Sequence, residues 1–161
     1  QHAIDDIVGT FYRQCLFADY ELQAHRLAEK GEPITAEGLS RLYFDLFKAY
    51  HGDAMTYDDA AQITWARVPH FFGSPYYVYQ YATCYASSAQ LIQRITSGSV
   101  DERREGVGQF LNLLRAGGSD YPMNLLKRAG VDLSTPSPAE AVVRQLDIRV
   151  SQLEAEIEKL T

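Results

Sequence analysis

A chain of 161 residues with 46% hydrophobic and 22% charged side chains has the composition of a globular protein with one buried core, not of a disordered tail. Its net charge of −6 excludes a general nucleic-acid binder, which needs a basic face to neutralise phosphate. No apolar run approaches the ~20 residues of a bilayer span and no basic-then-apolar leader opens the sequence, so a soluble, cytoplasmic protein is expected.

The first segment, about 3 to 30, places Ile7, Phe11, Cys15, Ala18 and Leu22 at helical spacing, and Gly31 with Pro33 ends it. It starts at Gln1 without initiator Met or clear N-cap, which gives the expectation of a piece excised from something longer. Thr35 is the expected N-cap of a second helix to about Tyr50, with Leu39, Leu42, Tyr43, Leu46 and Phe47 on its buried face. A shorter helical stretch runs from Thr56 to Arg67. From Val68 to Pro75, two prolines and a glycine make a loop rich in rings, which delivers the chain into a long helix expected from about Tyr76 to Thr96.

Ser99 with Glu102 reads as a capping box for a helix reaching about Arg115, closed by Gly117-Gly118. Asp120 and Pro122 start a short helix ending at Gly130. Ser137, Pro138 and Glu140 announce a last helix, about 138–160, with Val143, Leu146, Val150, Leu153, Ile157 and Leu160 at alternating spacings of three and four. No segment alternates with the period of a strand. The expected fold is all-α: one helical domain, 1–161, of about five to seven helices. Cys15 and Cys84 have no zinc-ribbon or CxxC spacing and read as packed free thiols in a reducing compartment.

Five of the eleven tyrosines fall between Tyr76 and Tyr85. In a helix, Tyr77 and Tyr81 share one face and Tyr76 and Tyr79 another, beside the loop histidine His70. Neutral donors such as phenol O–H and imidazole N–H hydrogen-bond a carbonyl oxygen more strongly as it gains charge, so the group suits oxyanion stabilisation or a grip on a peptide backbone. The same rings could equally be ordinary core. Glu21 and His25, four apart, read as an i,i+4 polar contact rather than as metal ligands, since a zinc site wants three or four. The sequence contains no HExxH, GxSxG or glycine-rich phosphate loop.

Several of these stretches together resemble oligoendopeptidase F. Arg13-Gln14, Phe17-Ala18, Tyr20-Glu21 and His25 are similar to that family's RQ..FA.FE...H; Trp65 to Phe71, then Tyr77 to Thr83, to its W.RIPHF...FYVYQYATG; and Phe110-Leu111, Gly117-Gly118-Ser119, Pro122 and Gly130-Val131-Asp132 to its FL...GGS..P......GVD. Tyr76 stands where the family usually has Phe, and Cys84 replaces a glycine. The resemblance implies the C-terminal part of a larger, mostly helical zinc metallopeptidase that cuts short peptides. It implies zinc ligands, two HExxH histidines and a later glutamate, outside this chain, with no metal held here and no activity for the isolated segment.

Carried onto these residues, the resemblance makes His70 and Tyr77 the oxyanion-stabilising pair, with Tyr81, Tyr79 and Tyr76 contacting substrate. The partners it implies are short peptides and the rest of the peptidase chain, not nucleic acid or membrane. Two rival readings remain at this point: a non-enzymatic helical module whose tyrosine stripes and last helix bind a partner protein, and a stand-alone enzyme using His70 as base.

Overall fold

The structure is a computed structural model that describes residues 1–160, the side chain of Ala54 excepted. Thr161, the last residue of the expected domain, lies outside the described residues. Among the described residues there are eight α-helices and no strand, so the all-α expectation holds. The chain divides into two compact units, Val8–Ala82 and Gln1–Ile7 with Thr83–Thr161.

The Val8–Ala82 unit opens on a π-helical turn, Val8–Tyr12, which separates α1 (His2–Ile7) from α2 (Arg13–Glu29). The single helix expected over 3–30 therefore carries a bulge that shifts the register of its buried face. Gly31, at φ 73°, ends α2: Gly31 N–H donates to the Ala28 carbonyl at 2.9 Å and Glu32 N–H to that of Leu27 at 3.0 Å. Thr35 caps α3 (Ala36–His51), its hydroxyl accepting from Gly38 N–H at 3.0 Å. The His51 ring bonds through Nδ1 to the Phe47 carbonyl at 2.8 Å and lies against the Phe47 ring.

The shorter helical stretch expected before the loop is a 3₁₀ helix, Asp59–Arg67, capped by Asp58. Trp65 Nε1 donates from it to Ser40 Oγ of α3 at 3.0 Å. The core of this unit joins Leu16, Phe17 and Tyr20 of α2 to Tyr43 of α3 and to Val68 and Val78. Tyr20 meets Tyr43 edge-on at 5.5 Å and Phe71 at 5.2 Å, and Phe71 meets Phe17 edge-on at 5.7 Å. Edge-to-face pairs of this kind add about 0.5–1.5 kcal/mol each beyond burial.

In the other unit, α5 (Tyr79–Thr96) continues from Thr83, followed by α6 (Val100–Ala116), α7 (Pro122–Arg128) and α8 (Ser137–Glu158), and α1 packs against α8. The capping box forms as expected, with Ser99 N–H donating to Glu102 Oε2 at 2.7 Å and Glu102 N–H to Ser99 Oγ at 3.3 Å. The last helix starts one residue earlier than its N-cap signal implies. Pro136 already has helical φ and ψ, so Ser137 becomes the first helical residue. Pro138, Ala141 and Val142 are its buried residues, while Val143, Val150, Ile157 and Leu160 of the expected apolar stripe are exposed.

Leu91, Ala129 and Val131 form the core here, with Phe110, Leu113 and Leu126 packed around them. Gly106 lets α6 approach α5 closely: a Cβ there would sit 2.8 Å from the Arg94 carbonyl oxygen, whereas one on Gly108 would meet nothing within 4 Å. Gly106→Ala is expected to lower stability by about 1–3 kcal/mol, and Gly108→Ala to raise it by ~0.5–1 kcal/mol. Urea unfolding midpoints of the two variants check the opposite signs.

Three phenols around α2 and α3 resist ionisation. Burial and then the Tyr43 charge raise Tyr20, and burial raises Tyr43 against the pull of Arg13 and Arg67. Tyr50 is pushed up to about 12 by burial, then by the Asp19 charge, by Cys15 and by donation of its proton to Asp19. A phenol whose folded pKa is raised stabilises fully below its unfolded value of 10.0 and loses that contribution as pH climbs through the folded value. The urea midpoint is therefore expected to fall between pH 10.0 and about 12, and less steeply in Tyr50→Phe. An equal fall in both proteins would remove Tyr50 from this account.

Candidate functional site

Val68 and Val78 are both buried in the aromatic core, so the chain between them is held at each end. Between these anchors runs α4 (His70–Gly73), a single turn, followed by Ser74 and Pro75. Phe71 points from α4 into Phe17 and Tyr20, which fixes the turn's rotation and turns His70 aside from the core. The ring-rich stretch read as a loop thus contains a short helix, and α5 begins at Tyr79 rather than near Tyr76.

Tyr76 is the reason for that delay. Its φ of 56° lies in the left-handed region, a conformation that costs a bulky residue about 1–3 kcal/mol. The Tyr76 N–H donates to Glu21 Oε1 at 2.7 Å, and Glu21 is only 4% exposed. A hydrogen bond to a charged group contributes about 1.5–3 kcal/mol, enough to offset the strain. The Tyr76 ring lies 4.6 Å from that of His25, one turn after Glu21 on α2. The two residues expected to touch each other thus both reach Tyr76.

Beyond this turn His70, Tyr77 and Tyr81 come together. The His70 and Tyr77 rings are stacked at 5.4 Å and 8°, Tyr81 stands edge-on to His70 at 6.0 Å, and Tyr77 meets Tyr81 at 5.5 Å and 74°. Tyr77 is 41% exposed and Tyr81 37%, so the group opens to solvent rather than filling core. Of the other expected contacts, Tyr79 is the first residue of α5 and about half exposed, and Tyr76 faces His25 instead.

The Tyr81 phenol is raised above its ordinary value by burial and then by its hydrogen bond to Tyr77.

Among the described residues no three His, Cys, Asp or Glu side chains gather so as to hold a metal ion, so these residues do not fit the zinc that the resemblance implies. No helix among them is long and apolar enough to cross a membrane.

The family model for Peptidase family M3 matches residues 1–144. The chain belongs to that family. It is 39% identical over 153 residues to oligopeptidase PepF of Bacillus subtilis, covering 95% of this chain and 22% of that protein. It is 37% identical to group B oligopeptidase PepB of Streptococcus agalactiae, again over 95% of this chain and 25% of the relative. The crystal structure of oligoendopeptidase-F from Enterococcus faecium superposes with a TM-score of 0.89 at 35% identity, covering 98% of this chain and 29% of that one. The chain thus spans about a quarter of the M3 relatives it matches, and the resemblance read from its motifs holds.

Sequence reasoning left out the pinning of the turn. Glu21 and His25 carried a signal in their spacing, but nothing in the spacing pointed to a backbone N–H 55 residues away. Spectrophotometric titration of the phenols checks the setting of Tyr81 beside Tyr77: the group lost in Tyr81→Phe is expected to titrate above 10.0. If the missing phenol titrates at or below that value, Tyr81 is not held against Tyr77 in the way the ring contact implies.

Proposed function

We propose that this chain is the C-terminal portion of a cytoplasmic zinc metallo-oligopeptidase that hydrolyses short peptides, and that His70 and Tyr77 stabilise the oxyanion of the reaction. Tyr81, Tyr79 and Tyr76 contact the peptide, with Tyr81 standing edge-on to His70 beside the pair. Zinc, held by residues outside this chain, supplies Lewis-acid activation of water and carbonyl when bound. On this reading the isolated chain neither binds zinc nor cuts peptides, and its further partner is the rest of the peptidase.

The observation that carries the reading is the solvent-open stack of His70 on Tyr77, backed by Tyr81. Both rings carry neutral donors, and a neutral donor gains most when the oxygen it faces turns from carbonyl to oxyanion. Membership of family M3 supports peptide hydrolysis as the reaction, and the free thiols of Cys15 and Cys84 suit a reducing compartment.

The reading is tested in the full-length enzyme. Tyr77→Phe removes one donor and keeps the ring stacked, so kcat is expected to fall by ~10²–10³ with little change in KM. Hydrolysis of a quenched fluorescent peptide measures both constants; a kcat equal to that of the parent enzyme rejects Tyr77 as an oxyanion donor.

A further inference from the structure

We infer that Glu21 is a positioning residue: its buried carboxylate, with the His25 ring beside it, holds Tyr76 in a left-handed turn and so sets where Tyr77 meets His70. The inference rests on the proposed role of that pair for its catalytic consequence, and on geometry alone for its structural one.

Four observations join to support it. Tyr76 is the one non-glycine residue at positive φ among the described residues, so its backbone conformation needs an outside hold. Its N–H donates to Glu21 Oε1 at 2.7 Å, and its ring lies against His25, so backbone and side chain are both fixed by α2. Glu21 is 4% exposed, on the helix that also supplies Phe17 and Tyr20 to the core, and hence has little freedom of its own. Tyr77 follows Tyr76 directly and Val78 is anchored in the core, so a change of φ at Tyr76 is taken up by the short backbone between them and displaces Tyr77.

A buried carboxylate is costly unless hydrogen-bonded, and a wholly apolar residue would fit this site better if packing were its only task. Glu21 and His25 also line a cavity of about 200 Å³ with Trp65, Phe71 and Phe72. Space beside the carboxylate means that shortening it leaves the Tyr76 N–H without an acceptor instead of letting neighbours close in. The part of Glu21 that acts is the acceptor oxygen, which glutamine reproduces and alanine does not.

The test uses the full-length peptidase carrying Glu21→Ala, Glu21→Gln or Glu21→Asp, with Tyr77→Phe as reference. Crystal structures report the His70–Tyr77 ring separation, and peptide hydrolysis reports kcat and KM. In Glu21→Ala the stack is expected to open beyond 5.4 Å and kcat to fall by on the order of 10–10²-fold with KM little changed. Glu21→Gln is expected to keep both the stack and kcat near the parent's.

Glu21→Asp keeps the charge but withdraws it by one methylene, and is expected to follow Glu21→Ala; it serves as the acceptor-withdrawing variant where Glu21→Ala does not fold. An unmoved stack in both Glu21→Ala and Glu21→Asp overturns the inference, as does a Glu21→Gln that opens as far as they do. A stack that opens while kcat stays at the parent's level upholds the positioning and instead rejects His70 and Tyr77 as the catalytic pair. Tyr77→Phe with unchanged kcat rejects the catalytic role of Tyr77 by itself, whatever Glu21 does.

Discussion

Nine residues, Pro69 to Tyr77, must leave one helical segment, make a single turn, pass a proline and enter another helix between two valines that are both locked in the core. With its ends fixed, that stretch has little conformational freedom left, and a conformation costly for one residue becomes acceptable if the rest is thereby satisfied. Tyr76 absorbs the cost, and the Glu21 carboxylate offsets it. The rings that could do chemistry are therefore held by a short, over-determined turn built on two packed helices. Rigid support of this kind gives a donor pair a defined direction, where a mobile loop would spend binding energy on ordering it.

The aromatic residues divide into two populations with different work. Phe17, Tyr20, Tyr43 and Phe71 pack edge against face and supply burial, and their phenols are pushed towards the neutral form by that same burial. His70, Tyr77 and Tyr81 stand together at the surface, where their rings pack on one another and the two phenols stay partly open to solvent. Phe71 belongs to the first group and its neighbour His70 to the second. One helical turn, anchored by the first, thus presents the second.

Membership of family M3 gives this arrangement its chemical context, and the chain spans about a quarter of the relatives it matches. On the proposed reading this segment contributes donors and shape, and the charge that drives the reaction comes from residues outside it. Neutral phenols and an imidazole are suited to that division of labour, since they reward the build-up of negative charge without holding a counter-charge in the ground state.

Helix class, most caps and the grouping of tyrosines were legible in the amino-acid order, because helical spacing, the Thr35 cap and the Ser99–Glu102 box are local matters settled within a few residues. The pairing of Tyr77 with Tyr81 followed from a four-residue spacing for the same reason. The π turn at Val8–Tyr12, the 3₁₀ form of Asp59–Arg67 and the late start of α5 were not, because each yields local preference to packing against residues far away in sequence. Only the tertiary structure could decide that His70 stacks on Tyr77 and that Glu21 reaches Tyr76. Those contacts depend on Phe71 and the two valines being buried together, and burial is a property of the folded whole.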